Sequence, residues 1–262
     1  MRWFDAGVNC FDTRMPLAET LAQAKANGVD RLCVITTQES EWQQCLNWVE
    51  QYPDTLCCTL GVHPHNADNV SPSWLEDLHR NLAASHVAAV GECGLDFNRM
   101  FSSQAGQLRV FEQQLELACE LQLPVYLHER DAFAHQYALL KTYCQRLDGG
   151  LVHCFTSHQE HLKAYLDLGF YIGITGWLCD QKRGHELREA MAYLPLDRLV
   201  IETDAPYLFP KGLKPRARNN TPANLPYIAE IIAEIKKVTV EEVNQASIIN
   251  TNQLLWRNND IN

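Results

Sequence analysis

No apolar stretch in this 262-residue chain approaches the roughly 18 to 20 residues a membrane-spanning helix needs, so no transmembrane anchor is expected. The first residues, MRWFDAGVN, have neither the apolar core nor the small-residue cleavage site of a secretory signal, and a cytoplasmic protein is expected. Basic charge is scarce. Lys and Arg number 22 against 32 Asp and Glu, a net charge of -10, which argues against broad, nonspecific binding to duplex nucleic acid. Ten cysteines are present but no C-x-x-C pair, which speaks against a zinc ribbon or a redox dithiol. Cys33, Cys57, Cys58, Cys93, Cys119 and Cys154 fall in apolar runs or on helix faces, as small buried hydrophobes do, and reduced thiols are expected. No linker, charge block or internal repeat divides the chain, so residues 1–262 read as a single domain.

Eight short apolar runs are present, over 3–8, 31–36, 56–62, 87–92, 124–128, 150–153, 170–174 and 198–203. Each is rich in Val, Ile and Leu and bounded by breakers, the pattern of a strand buried on both faces. Segments with helical spacing separate them. After Ser102-Ser103, residues Leu108, Phe111, Leu115, Ala118 and Leu121 share one helical face. Ser157 and Glu160 have capping-box spacing before a helix expected to stop at Gly169, and Thr239 and Glu242 open the last helix in the same way. Strict alternation of strand and helix implies a parallel sheet with helices outside. Eight such units, with no glycine-rich dinucleotide fingerprint after the first strand, favour an α/β fold closed as a single (β/α)8 TIM barrel.

Four of the runs end in metal-type side chains: Glu92, His128, His153 and Asp204. The C-terminal tips of the strands are where such a barrel gathers its chemistry. Acids and imidazoles crowded on one ring need a cation to neutralise them. Glu92, His128 and His153 make a first ligand set that leaves positions open for water and substrate. Asp204 is then a further ligand or the general base that deprotonates the attacking water. His63 and His65, on the turn Gly-Val-His-Pro-His, are candidates to hold a phosphate, to protonate a leaving oxygen, or to support the ligands from behind. Arg130 is placed to clamp an anionic oxygen. Lys211, Lys214, Arg216 and Arg218 put four cations into eight residues after Asp204, and Lys211 and Arg216 are expected to offset substrate charge. Glu202 lies deeper in its strand and reads as a supporting acid, while Asp96 and Arg99 shape the mouth. Phe97, Trp177, Tyr207 and Phe209 are candidates to stack on bases.

The segments Gly91-Glu-Cys-Gly-Leu-Asp96, Leu127-His-Glu-Arg130, His153-Cys-Phe-Thr156 and Glu202-Thr-Asp-Ala-Pro206 resemble the motifs of TatD-type metal-dependent nucleases. Gly61-Val-His-Pro-His65 and Gly173-Ile-Thr-Gly-Trp177 fit the same family, and the resemblance runs through essentially the whole chain. It implies an amidohydrolase-like barrel, a divalent-metal site on Glu92, His128 and His153, an essential Asp204, and hydrolysis of phosphodiesters. It also implies a cytosolic role in DNA repair or fragment degradation. One departure stands out. Many members begin Asp-x-His-x-His, whereas this chain has Asp5-Ala-Gly7-Val-Asn9, so a second metal position loses both imidazoles. A bacterial subgroup shares the Gly-Val-Asn run, and similarity to it implies a Mg²⁺-dependent 3′→5′ exonuclease acting on the 3′ ends of single-stranded DNA and RNA. Mn²⁺ and Zn²⁺ are the other metals to consider, and a monomer is expected. The rival expectations are a metal-dependent amide, lactone or ester hydrolase on the same scaffold, and a binding protein that has lost catalysis.

Overall fold

Period-two alternation along eight strands sorts the apolar side chains into two layers, and this sorting organises the fold. The computed structural model describes residues 1–256; residues 257–262 of the expected 1–262 unit lie outside the described residues. The strands are β1 (Trp3–Val8), β2 (Val29–Val34), β3 (Leu56–Leu60), β4 (Val87–Asp96), β5 (Val125–Arg130), β6 (Gly150–Val152), β7 (Tyr171–Ile174) and β8 (Leu199–Ile201). They form one sheet in sequence order, with every neighbouring pair parallel. Between them run α1 (Leu17–Ala26), α2 (Glu39–Gln51), α3 (Trp74–Leu82), α4 (Gln104–Leu121), α5 (Phe133–Tyr143), α6 (Gln159–Asp167) and α7 (His185–Ala190), followed by α8 (Leu225–Lys236) and α9 (Val240–Leu255). This is the expected α/β barrel. No helix among the described residues is long and apolar enough to cross a membrane.

Phe4, Ala6, Cys33, Ile35, Cys57, Ala89, Tyr126, Leu151, Tyr171 and Val200 point into the barrel, and their chain neighbours pack outward against the helices. The small residues Ala6, Cys33, Cys57 and Ala89 leave room in this interior layer for the two tyrosines. Trp256 covers the N-terminal end of the barrel, edge-on to Phe4 at 5.5 Å and beneath the Arg31 guanidinium at 4.3 Å. All ten cysteines are free, as expected, although Cys154 is only half-buried.

Closure between β8 and β1 is made just past the end of β8. The Asp204 amide donates to Gly7 O at 3.0 Å, the Asn9 amide to Ala205 O at 2.9 Å, and Val8 and Ala205 form a parallel bridge. Asp5 accepts the amide of Thr203 at 2.8 Å and its hydroxyl, so it serves this seam. Burial of that carboxylate pushes its pKa up to about 7 against the pull of the Thr203 hydrogen bonds.

Two local expectations are corrected. β4 does not stop at Glu92 but continues to Asp96, because Cys93 to Asp96 pair with Leu127 to Arg130 after an irregularity at Gly91–Cys93. Gly91 there has φ 154, a conformation L side chains rarely adopt, and the Tyr126 backbone occupies the space of any Cβ. The capping box expected at Ser157 is absent. His158 takes the N-cap position of α6, and Ser157 Oγ pairs with His161 Nδ1 at 2.8 Å. Ser103 does cap α4, and Thr239 with Glu242 forms the full reciprocal box on α9.

Candidate metal centre at the barrel mouth

Donor atoms of His63, Glu92 and His128 all lie within 4.8 Å of one another, and those of His153, Cys154 and Asp204 form a second such group. The expected set of Glu92, His128 and His153 is therefore shared between two adjoining groups. His63 enters on the turn after β3, and Glu92 on the irregular stretch of β4. His128 enters near the end of β5, while His153 and Asp204 follow β6 and β8.

Glu92 is buried with its Oε1 2.9 Å from His128 Nδ1 and 3.6 Å from His63 Nε2. Burial opposes its charge, but the surrounding imidazoles of His63, His128 and His153 outweigh it and hold the carboxyl well below the usual carboxylate range. Asp96 Oδ2 is 2.7 Å from His65 Nε2 and 3.3 Å from His128 Nε2, and its Oδ1 accepts the amides of Asn98 and Arg99. Hydrogen bonds from the two histidines overcome burial and keep Asp96 ionised too. His128 thus lies between two carboxylates. Burial works against its proton, but Asp96 and Glu92 raise its pKa to about 9.

The tautomer of His63 follows from its neighbour. The His65 amide donates to His63 Nδ1 at 3.1 Å, which places the neutral ring's hydrogen on Nε2. Burial lowers the His63 pKa to about 3, so the ring is neutral and presents an N–H rather than a lone pair. His63 therefore suits a hydrogen-bonding role better than ligation.

The opposite arrangement holds at His153. Its Nδ1 is 2.6 Å from Glu202 Oε2, leaving Nε2 directed at Asp204 Oδ1, 3.8 Å away. Tyr126 donates to Glu202 Oε2 at 2.7 Å and lies 2.8 Å from His153 Nδ1, and the Cys154 amide donates to Glu202 Oε1 at 2.6 Å. A histidine whose far nitrogen is fixed by a carboxylate is the usual support for a metal ligand. Asp204 has φ 54 and accepts Asn9 Nδ2 at 2.8 Å through Oδ1. Burial raises its pKa to about 6 despite the pull of His153.

The donor set fits a divalent cation. Each of the two groups pairs imidazole with carboxylate, Glu92 is buried and Asp204 half-buried, and the supporting partners are in place.

The remaining expected residues are spread around the rim. His65 pairs with Asp96 and does not reach Glu92. Arg130 is exposed at the end of β5, and its guanidinium has no side-chain partner among the described residues. Arg216 is likewise exposed and unpaired, whereas Lys211 Nζ is bound to Asp180 Oδ2 at 2.6 Å, beside Arg183. Asp96 is far more central than its sequence context suggested. Tyr126 escaped notice because it reads as one more apolar strand residue. Gln107 and Gln114, on α4, were also missed. Gln107 bonds the Asp96 amide and carbonyl, and Gln114 bonds the Val62 amide and carbonyl, so one helix pins both histidine- and acid-bearing segments. Their signal was available: two glutamines seven apart beside an apolar stripe.

The profile of the family described as "TatD related DNase" matches residues 4–256. A protein of Edwardsiella piscicida named 3′-5′ ssDNA/RNA exonuclease TatD is 42% identical over 254 residues, covering 95% of this chain and 98% of that one. The crystal structure of a TatD homologue from Escherichia coli K12 superimposes with TM-score 0.88 at 28% identity, over 97% of this chain and 98% of the other. A TatD-family hydrolase from Entamoeba histolytica gives TM-score 0.87 at 25% identity, over 98% and 99%.

Proposed function

This chain belongs to the TatD-related DNase family, and from that premise we infer that it hydrolyses phosphodiester bonds as a metal-dependent 3′→5′ exonuclease on single-stranded DNA and RNA. The observation that carries the reading is the presence of two groups of metal-type donors, Glu92 with His128 and His153 with Asp204, at the C-terminal end of the barrel strands. Glu92, His128 and His153 would hold the ion, with Mg²⁺ preferred over Mn²⁺ or Zn²⁺ because Gly7 and Asn9 supply no further imidazole. A divalent ion held there would supply Lewis acidity toward a phosphate oxygen and the attacking water.

The chain's own residues do the rest. Asp204, raised to about 6 by burial, accepts the proton of the attacking water, and Asn9 fixes the carboxylate by donating to Oδ1. His63 offers Nε2–H to the departing ribose oxygen or the phosphate, its orientation held by the His65 amide. The unpaired guanidinium of Arg130 binds a nonbridging oxygen, and Arg216 adds diffuse positive charge. Lys211 contributes less than expected, since Asp180 already neutralises it. The physiological setting that suits this activity is trimming of DNA ends or fragments in the cytoplasm by a monomer.

The test is incubation of metal-stripped protein with a 5′-labelled single-stranded oligonucleotide, with and without Mg²⁺, beside the Glu92→Ala variant. A ladder shortening from the 3′ end and needing both Mg²⁺ and Glu92 is expected. Shortening that is indifferent to Glu92 would overturn the ligand assignment, and none with any of the three metals would overturn the nuclease reading.

A further inference from the structure

Of the six large apolar side chains exposed among the described residues, three lie in loops on the catalytic face: Met100 and Phe101 after β4, and Tyr207 after β8. Phe101 is the most open of these, 65% exposed. The loop that carries it is nevertheless firmly held. Asp96 Oδ1 accepts the amides of Asn98 and Arg99, and Asn98 Nδ2 donates to Asp131 Oδ2 at 2.6 Å. On the far side, buried Ser102 donates to His65 O at 2.9 Å, Ser103 bonds Asp68 through both amide and hydroxyl, and Gln107 Nε2 reaches Ser102 O. Between these anchors Met100 adopts φ 51, an unfavourable conformation for a residue with a long side chain. A loop fixed on both sides therefore presents an aromatic ring to solvent.

That ring is continuous with the metal-type cluster. Phe101 meets His65 edge-on at 4.8 Å, His65 meets His63 at 4.3 Å, and His63 meets His128 at 4.4 Å. Phe101 is thus set beside the site, and much of the side chain is open. A flat apolar ring held rigidly beside a phosphate-cleaving centre is a surface that a nucleobase fits, because each base has a π-face and stacking costs a fixed ring little entropy. Met100 beside it adds a soft apolar contact.

We propose that Phe101 is the base-stacking subsite of this enzyme, gripping one nucleobase near the scissile phosphate and so setting its preference for unpaired strands. This rests on the nuclease reading. A base engaged in a duplex has its faces covered by its neighbours, so the subsite selects strand ends whose bases are free.

The experiment compares wild type, Phe101→Ala and Phe101→Trp on 5′-labelled single strands carrying one abasic residue at each of the three 3′-terminal positions in turn, with Mg²⁺ present. In wild type one position is expected to raise KM by about tenfold when its base is removed. Phe101→Ala should show that KM already on the intact strand, with kcat within about threefold and no further response to the abasic residue. Phe101→Trp should restore the response. Metal affinity of the variants, measured by calorimetry, should match wild type, since the side chain is exposed and its ring meets His65 rather than a proposed metal ligand. An Ala variant that keeps the wild-type abasic profile, or a wild type indifferent at all three positions, overturns the proposal. A wild type that cuts no strand overturns the nuclease reading itself, and the subsite with it.

Discussion

The Tyr126 hydroxyl lies 2.7 Å from Glu202 Oε2, in space that a side chain at position 7 would claim: a Cβ on Gly7 falls 2.8 Å from the same oxygen and closer still to the hydroxyl. The missing first imidazole of β1 is therefore matched by a filled volume. Tyr126, with its pKa raised far above normal by burial and by Glu202, keeps its proton and donates it to the carboxylate that orients His153.

Glu202→Gln should weaken metal binding by about ten- to a hundredfold, the usual effect of changing the partner behind a ligating histidine. Tyr126→Phe should act in the same direction but less. Titration calorimetry with Mn²⁺ measures both. Affinities equal to wild type in the two variants would mean that this pair does not hold His153.

Gly7→Ala should cost about 1–3 kcal/mol of stability through overpacking. It should also displace Tyr126 and lower metal affinity. Combining it with Tyr126→Phe should recover part of the loss, because the hydroxyl is the nearest obstacle. Urea unfolding of the two variants and of their combination checks this, and strictly additive losses would count against it.

Gln114→Ala leaves the buried Val62 amide and carbonyl without their partners, at an expected cost of about 2–3 kcal/mol. Because Val62 precedes His63, turnover should fall with stability. Gln114→Glu is the informative companion. It can still accept from the amide but must be protonated to donate to the carbonyl, so its stability should drop as pH rises. Thermal unfolding at pH 5 and pH 8 distinguishes the two.

Metal binding should release protons and strengthen as pH rises from 6 to 9. In the metal-free protein His128 is raised to about 9 and His153 to about 10, in each case by carboxylates that overcome burial. An incoming cation must displace those protons. For the metal-free fold the sign is the usual one for raised histidines: their stabilisation is whole below about pH 6.5 and is lost as pH climbs through the raised values. Calorimetry at pH 7 in buffers of different ionisation enthalpy reads the released protons, and a binding enthalpy independent of buffer would contradict the expectation.

The sequence by itself determined the strand and helix order, the parallel barrel, and the apolar runs that lead to Glu92, His128, His153 and Asp204. It could do so because buried parallel strands are short unbroken apolar runs, so a charged or imidazole residue at the end of one is conspicuous. The family motifs were equally legible, being contiguous in the chain. Tertiary structure alone decided the rest. That β4 runs on to Asp96 depends on pairing with β5, a contact between distant segments. That Asp96 joins His65 to His128, that Asp5 serves the barrel seam, and that Lys211 is already neutralised by Asp180 are all matters of which polar groups meet on closure. Tyr126 is the clearest instance. In the chain it is an aromatic residue in an apolar run, and only the closed barrel brings its hydroxyl, Glu202 and His153 together over the space that glycine at position 7 leaves open.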